Sequence, residues 1–313
     1  MQNKISKILE FRNFNMKITV KKLLAINSKI SLLDKEILLS HVIQKSREFL
    51  FTNPDFEINF WQKIKFESLV RQRQKNIPIA YLVGHKEFFG LDFLVNKNVL
   101  VPRPDTELMV ETAIQQINTS TLERILLIDV GTGSGCIPIS IRKSALSVNP
   151  HFKMKTIAVD VSSKALNVAK KNAKKHNVEI KFLHGNLLEP ILQLSELRTK
   201  NTELIITANL PYITKQQFQN ELSIQHEPKL ALVADNDGLA LYEELLKQIS
   251  ALARRSSDGV QSEGGFLIPL SSFLEIDPSQ TEKIKTMIKK YLPEANIEVK
   301  KDLSGLDRMV IIT

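Results

Sequence analysis

The residues Asn209-Leu210-Pro211-Tyr212 carry the most legible chemistry in this chain. They follow Leu204-Ile205-Ile206-Thr207-Ala208, an apolar run of the kind that forms a buried strand. Upstream, Asp129-Val130-Gly131-Thr132-Gly133-Ser134-Gly135 sets three glycines at a second strand exit. Glycines there permit a tight turn and let a ligand approach the backbone without interference from Cβ. A nitrogen whose lone pair is delocalised, as in an amide or an aromatic amine, is a poor nucleophile. It needs both N–H groups accepted in fixed directions. The side-chain oxygen of Asn209 and the carbonyl of Leu210 supply two acceptors, and Tyr212 supplies a flat packing face. Asn and Pro are also ordinary turn residues, so the tetrapeptide alone would read as a strand exit. Joined to a nucleotide-like cofactor site, it points to methyl transfer onto nitrogen.

The strand after the glycine loop ends in Asp160, an acidic side chain suited to the two hydroxyls of a ribose. The G-T-G-S-G spacing lacks the tail that packs a helix under a pyrophosphate, which argues against a dinucleotide. Further on, Gly185-Asn186-Leu187 follows another strand, and the Asn186 amide can meet an adenine amino group. This set resembles the class I adenosylmethionine-dependent methyltransferases, which implies S-adenosyl-L-methionine as cofactor. The lone Cys136 reads as packing, since no histidine is placed to activate it. No metal site is expected.

These sites need elements to hold them. Residues 1–85 read as all-helical: Leu23, Leu24, Leu32, Leu33, Leu38 and Val42 recur at three- and four-residue spacings. Phe56, Phe60, Ile64 and Leu69 begin a further amphipathic stretch, and Pro78 is expected to close the block. Residues 86–105 alternate around Gly90 as a hairpin linker. Over 106–313, strands and helices alternate: strands at 125–130, 156–161, 179–183 and 204–208, helices from Cys136, over 163–176, 239–254 and 280–291, and a terminal pair of strands at 297–300 and 309–313. That order specifies a doubly wound, mostly parallel α/β sheet with one antiparallel terminal strand.

With these residues in place, the chain resembles the release factor glutamine methyltransferases over nearly its whole length. The specific parts are Pro78 to Gly84 with Glu87-Phe88, and Val99-Leu100-Val101-Pro102-Arg103-Pro104-Asp105-Thr106-Glu107. Further matches are Glu227-Pro228, Asp237-Gly238-Leu239, Tyr242 and Leu303 to Arg308. The resemblance implies methylation of the side-chain N5 of glutamine in a Gly-Gly-Gln loop of peptide chain release factors. It implies that Gly131, Thr132, Gly133, Ser134, Gly135, Asp160, Asn186, Leu187 and Asn209 line the cofactor. Asn209, Leu210, Pro211 and Tyr212 would be the catalytic residues, and with Arg103 they would bind substrate. Arg103 and Glu107 are left open between a structural ion pair and a role in shaping the cleft. The helical block would recognise the substrate.

Two departures stand out. The family usually has proline where this chain has Leu210. Asn-Leu-Pro-Tyr is instead typical of rRNA adenine dimethyltransferases, which keeps a nucleic-acid adenine N6-methyltransferase as the alternative. The stretch from Gly264 to Ile276 is longer than the family pattern, and Pro269 disfavours a long central strand, so the strand is expected at 273–276.

Composition sets the outer limits. The chain has 313 residues, 43% of them apolar, enough for a substantial core and a second small domain. The formal charge is +9, but the basic residues are dispersed and no tract resembles a nucleic-acid arm, so no stable nucleic-acid binding is expected. No run approaches the roughly 18 apolar residues of a membrane span. A single cysteine and a polar N-terminus fit a cytoplasmic protein, expected to be a monomer.

Overall fold

A computed structural model describes residues 18–122, 124–148, 153–192, 194, 202–257 and 270–313. The chain divides into two compact units, Met1–Val83 and Gly84–Thr313.

The first unit is helical: α1 Val20–Leu24, α2 Leu32–Ile43, α3 Arg47–Thr52, α4 Phe60–Arg73 and α5 Ile79–Val83. The helices start where side chains satisfy free amides. Ser31 caps α2, Ser46 caps α3, and Asn59 with Gln62 forms a reciprocal capping box on α4. Leu38, Leu39, Leu50 and Phe66 are buried at its centre. Two expectations change here. Pro78 does not close the block; it precedes α5 and its carbonyl accepts from Tyr81 and Leu82, because proline is well suited to open a helix. Helix α4 buries Phe66, Leu69 and Val70, whereas Phe60 and Ile64 of the expected stripe lie exposed beside Trp61.

The second unit opens with a hairpin, β1 His85–Phe88 and β2 Leu91–Leu94. Its loop residues Phe89 and Gly90 take positive φ of 51° and 69°, the turn whose twist matches that of paired strands. The hairpin is built into this unit: Phe88 and Phe93 are buried in a core with Met109 and Val110. There follow α6 Glu107–Thr119, β3 Arg124–Val130, α7 Cys136–Val148, β4 Lys153–Asp160, α8 Ser163–His176, β5 Lys181–His184 and β6 Thr202–Ala208. The chain continues through α9 Lys215–Asn220, α10 Ala240–Ser257, β7 Leu270–Glu275, α11 Thr281–Tyr291, β8 Ile297–Lys301 and β9 Asp307–Ile312.

The seven larger-sheet strands lie in the order β5-β4-β3-β6-β7-β9-β8, and only β9 runs against the rest, pairing antiparallel with both β7 and β8. Strand β3 sits between β4 and β6, so the strand order reverses beside it, where doubly wound sheets bind ligands. Strands buried on both faces read as continuous apolar runs, and β6 is buried throughout. Alternate residues divide between two cores: Leu126, Ile128 and Val130 pack with α10 and α11, whereas Ile125 and Leu127 pack with α6 and α7. Strand β7 begins at Leu270, three residues before the expected start, because Leu270 already pairs with Leu204 of β6. Pro269 and the rest of the expected insertion from Gly264 lie outside the described residues.

Among the described residues, no helix is long and apolar enough to cross a membrane. No group of His, Cys, Asp or Glu among them could hold a metal ion.

Candidate active site

The register brings the predicted motifs together. Val130 at the end of β3 pairs with Val159 of β4 on one side and Ala208 of β6 on the other. Gly131, Asp160 and Asn209 therefore leave three neighbouring strands at one level. They line a single cavity with Thr132, Gly133, Ser134, Asn186, Leu187, Leu210, Pro211 and Arg103.

The glycine loop is wired to the strand beside it. Gly131 N and Thr132 N donate to Val159 O at 2.9 and 3.0 Å. Gly133 N donates to Asp160 Oδ2 and Ser162 N to Oδ1, each at 2.8 Å. Burial raises the Asp160 carboxyl, and these two backbone amides offset only part of that rise. Each carboxylate oxygen keeps a further lone pair, which suits a diol. At Gly131, with φ of +75°, a Cβ would come within 3.0 Å of Leu210 Cδ2, so the two loops touch here. Gly135 does not line the cavity. Its missing Cβ instead lets Ile139 and Ala169 pack close, at 3.0 and 3.2 Å from where that atom would be. Asn186 Nδ2 donates to Glu189 Oε1 at 3.1 Å, which leaves its Oδ1 to accept from a ligand.

Asp129 is fully buried behind the loop. Burial lifts its carboxyl up to about 6, against the pull of the Thr132 and Thr207 hydroxyls. Cys136 lines the cavity, but burial pushes its thiol up to about 12, so it is no nucleophile at neutral pH.

The tetrapeptide is held from beneath. Asn209 Nδ2 donates to Thr106 Oγ1 at 3.1 Å. This bond fixes the amide plane: the NH₂ end faces Thr106, and Oδ1 is left as the free acceptor of a half-buried side chain on the cavity wall. Leu210 is buried, and its backbone N–H donates to the Tyr242 hydroxyl. Tyr212 differs from the expected stacking face. It does not line the cavity, and its hydroxyl donates to Glu275 Oε1 at 3.2 Å. Burial and the Glu275 carboxyl raise the Tyr212 phenol. Glu275 itself is driven up to about 7 by burial. Gln280 Nε2 clamps the loop from outside, donating to Tyr212 O at 3.0 Å and to Asp237 O at 2.8 Å.

Arg103 finds its ion-pair partner in Glu227 and not in the neighbouring Glu107. It lines the cavity and pairs with the buried Glu227, whose other oxygen accepts from Val101 N at 2.9 Å. Glu107 acts elsewhere, accepting from Phe89 N in the hairpin turn at 2.9 Å. Thr106 and Glu227 sit inside segments that had a sequence signal, but neither announced its role. Glu275, Gln280 and the buried Asn172 carried none. Asn172 donates to Leu94 O and Ser134 O at 3.0 and 2.9 Å, joining the hairpin to the glycine loop.

Comparison with known proteins bears on this geometry. Residues 17–84 match the model of the PrmC N-terminal domain, and residues 123–289 match that of a methyltransferase domain. The chain is 36% identical over 280 residues to the release factor glutamine methyltransferase of Flavobacterium psychrophilum, covering 88% of each chain. It is 33% identical over 285 residues to that of Coxiella burnetii, covering 91% of this chain and 92% of that protein. The match to that of Bacillus anthracis is 31% over 278 residues, 88% and 90% of the two chains. Among solved structures, the catalytic domain of hMettl16 in complex with MAT2A 3′UTR hairpin 6 superposes with a TM-score of 0.51 at 15% identity. That match covers 80% of this chain and 81% of that one, a likeness of fold.

Proposed function

Because the chain belongs to the release factor glutamine methyltransferase family, we propose that it methylates the side-chain N5 of the glutamine in the Gly-Gly-Gln loop of peptide chain release factors. The observation that carries this reading is the Thr106 bond, which engages the NH₂ end of Asn209 and leaves Oδ1 as the acceptor of a side chain lining a cavity bordered by the glycine loop.

The residues present fit S-adenosyl-L-methionine. Asp160 offers two oxygens to a ribose, Asn186 offers an amide oxygen to an adenine amino group, and Gly133, whose Cβ position is clear but for Gly131 O at 3.9 Å, leaves room for backbone approach. When bound, that cofactor supplies a methyl group already activated on a sulfonium. The protein then has to orient the nucleophile. Asn209 Oδ1 accepts one N–H of the substrate amide and the Leu210 carbonyl accepts the other. Held at both N–H groups, the amide plane would be fixed beside the cofactor site, and charge developing on it would be steadied. Pro211 keeps Leu210 in the extended region, so its carbonyl direction is set partly by the residue that follows. Arg103, held by Glu227, shapes the cleft mouth. The unit over residues 1–83 would recognise the substrate, and the protein would act as a monomer in the cytoplasm, where release factors work.

Removing the Thr106 hydroxyl tests the orienting bond. In Thr106→Val the Asn209 amide loses its partner and is free to flip, so kcat for methyl transfer falls about tenfold while Thr106→Ser retains most of it. Equal loss in both variants would show that the hydroxyl does not orient Asn209.

The functional reading is tested with labelled adenosylmethionine offered to purified release factor and, separately, to ribosomal RNA. Label is expected in the protein. Label in the RNA alone would replace this reading with the adenine one.

A further inference from the structure

Leu210 needs a hold that a proline at this position would not need. Proline fixes its own φ through its ring and has no N–H. Leucine has a freely turning φ and a backbone donor, and here that donor is buried and must be paired. Its partner is the hydroxyl of Tyr242, at 3.2 Å. Tyr242 is fully buried on α10 and reaches across to the exits of two strands. Its single hydroxyl proton is given to the main-chain carbonyl of Glu275 at the end of β7. The carbonyl cannot donate, and the Leu210 amide cannot accept. The direction of both bonds is therefore fixed, with the Tyr242 oxygen accepting from Leu210. Pro211 has no N–H to offer, so the Leu210 amide is the main-chain donor at the middle of the loop.

We propose that Tyr242 is a positioning residue for methyl transfer: its hydroxyl pins the Asn209–Leu210 peptide plane to the end of β7, the fixed base from which the Leu210 carbonyl is aimed. Two restraints then act on Leu210. Pro211 limits its ψ, and the Tyr242 hydroxyl holds the peptide plane that precedes it. The buried Leu210 side chain, against Gly131, adds a packing restraint. The role assigned to Tyr242 in transfer rests on the reading of the Leu210 carbonyl as an acceptor for the substrate amide. The anchoring itself does not.

The test is a double-mutant cycle on the full chain with two readouts. The first is hydrogen exchange at the Leu210 amide, which needs no substrate. In Tyr242→Phe this amide exchanges about tenfold faster, while amides of β3 and β6 are unchanged. The second is transfer to a release factor. Tyr242→Phe lowers kcat about tenfold and leaves the Kd for adenosylmethionine and the KM for release factor within about twofold. In a Leu210→Pro background the donor is gone, and the same Tyr242→Phe change costs about fivefold less than in the natural chain. The unpaired Glu275 carbonyl is common to both backgrounds and cancels. Unchanged exchange at Leu210 in Tyr242→Phe overturns the anchor. Equal losses with and without Leu210→Pro overturn the positioning role. A natural chain that methylates no release factor sinks the functional reading and with it the positioning role, while the exchange readout still decides the anchor.

Discussion

Asn209→Ala is expected to lower methyl transfer by about a hundredfold or more, a loss of about 3 kcal/mol in transition-state stabilisation. The side chain supplies an acceptor whose direction is set before substrate arrives, because its NH₂ end is tied to Thr106. Water in the space left by alanine would accept an N–H without holding the amide plane. Cofactor affinity, measured by calorimetry, stays within about fivefold, since the Asp160 and Asn186 contacts are untouched. The split matters. A matching collapse of cofactor affinity would mean that Asn209 mainly builds the cofactor pocket, and retained transfer would remove it from the chemistry.

Gly238→Ala is expected to be nearly as damaging, although Gly238 does not line the cavity. Its φ is +83°, and a Cβ there would stand 2.0 Å from the carbonyl oxygen of Tyr212 and 2.5 Å from Gln280 Nε2. Either contact must open by about 1 Å to become tolerable, and displacement of reacting groups on that scale can cost about a hundredfold in rate. The left-handed backbone adds about 1–2 kcal/mol for an L side chain. Gly305→Ala separates the two causes. Gly305 has a similar φ of +79°, but nothing lies within 4 Å of the added atom. It should therefore show a modest drop in Tm and normal transfer, whereas Gly238→Ala loses both. Normal transfer in Gly238→Ala would mean that the Tyr212 peptide is not held in the way described.

The parts of this molecule that the sequence made legible are those with a local physical signature. Strands β3 and β6 are buried on both faces and so read as apolar runs. The glycine loop and Asp160 follow because strand exits at the switch point must turn tightly and face the ligand. Helix α8 is bounded by Ser162 and Asn177, the first accepting from Ala165 N and the second in the left-handed region, both recognisable end signals. What escaped the sequence is the layer beneath the catalytic loop. Thr106 reaches Asn209 across 103 residues, and Tyr212 reaches Glu275 across 63. Such pairs leave no period or spacing behind. Glu275 ends strand β7 after Phe273 and Leu274, and a carboxylate in that place looks like an exit to solvent rather than the buried partner of the Tyr212 hydroxyl. Tyr212 belongs to the same class: its place in the loop suggests a flat face for substrate, while its hydroxyl is drawn to Glu275. Pro78 reads equally as a helix end or a helix start, and only the bonds from Tyr81 and Leu82 to its carbonyl decide for the start.

The central claim is that the nitrogen methylated is the side-chain amide of one glutamine. The most direct measurement is tandem mass spectrometry of a release factor after incubation with the enzyme and labelled adenosylmethionine, run beside a release factor carrying Gln→Ala in its Gly-Gly-Gln loop. One methyl group on that glutamine side chain, with labelling abolished in the Gln→Ala substrate, is the predicted result. Labelling that persists unchanged in the Gln→Ala substrate would contradict the account.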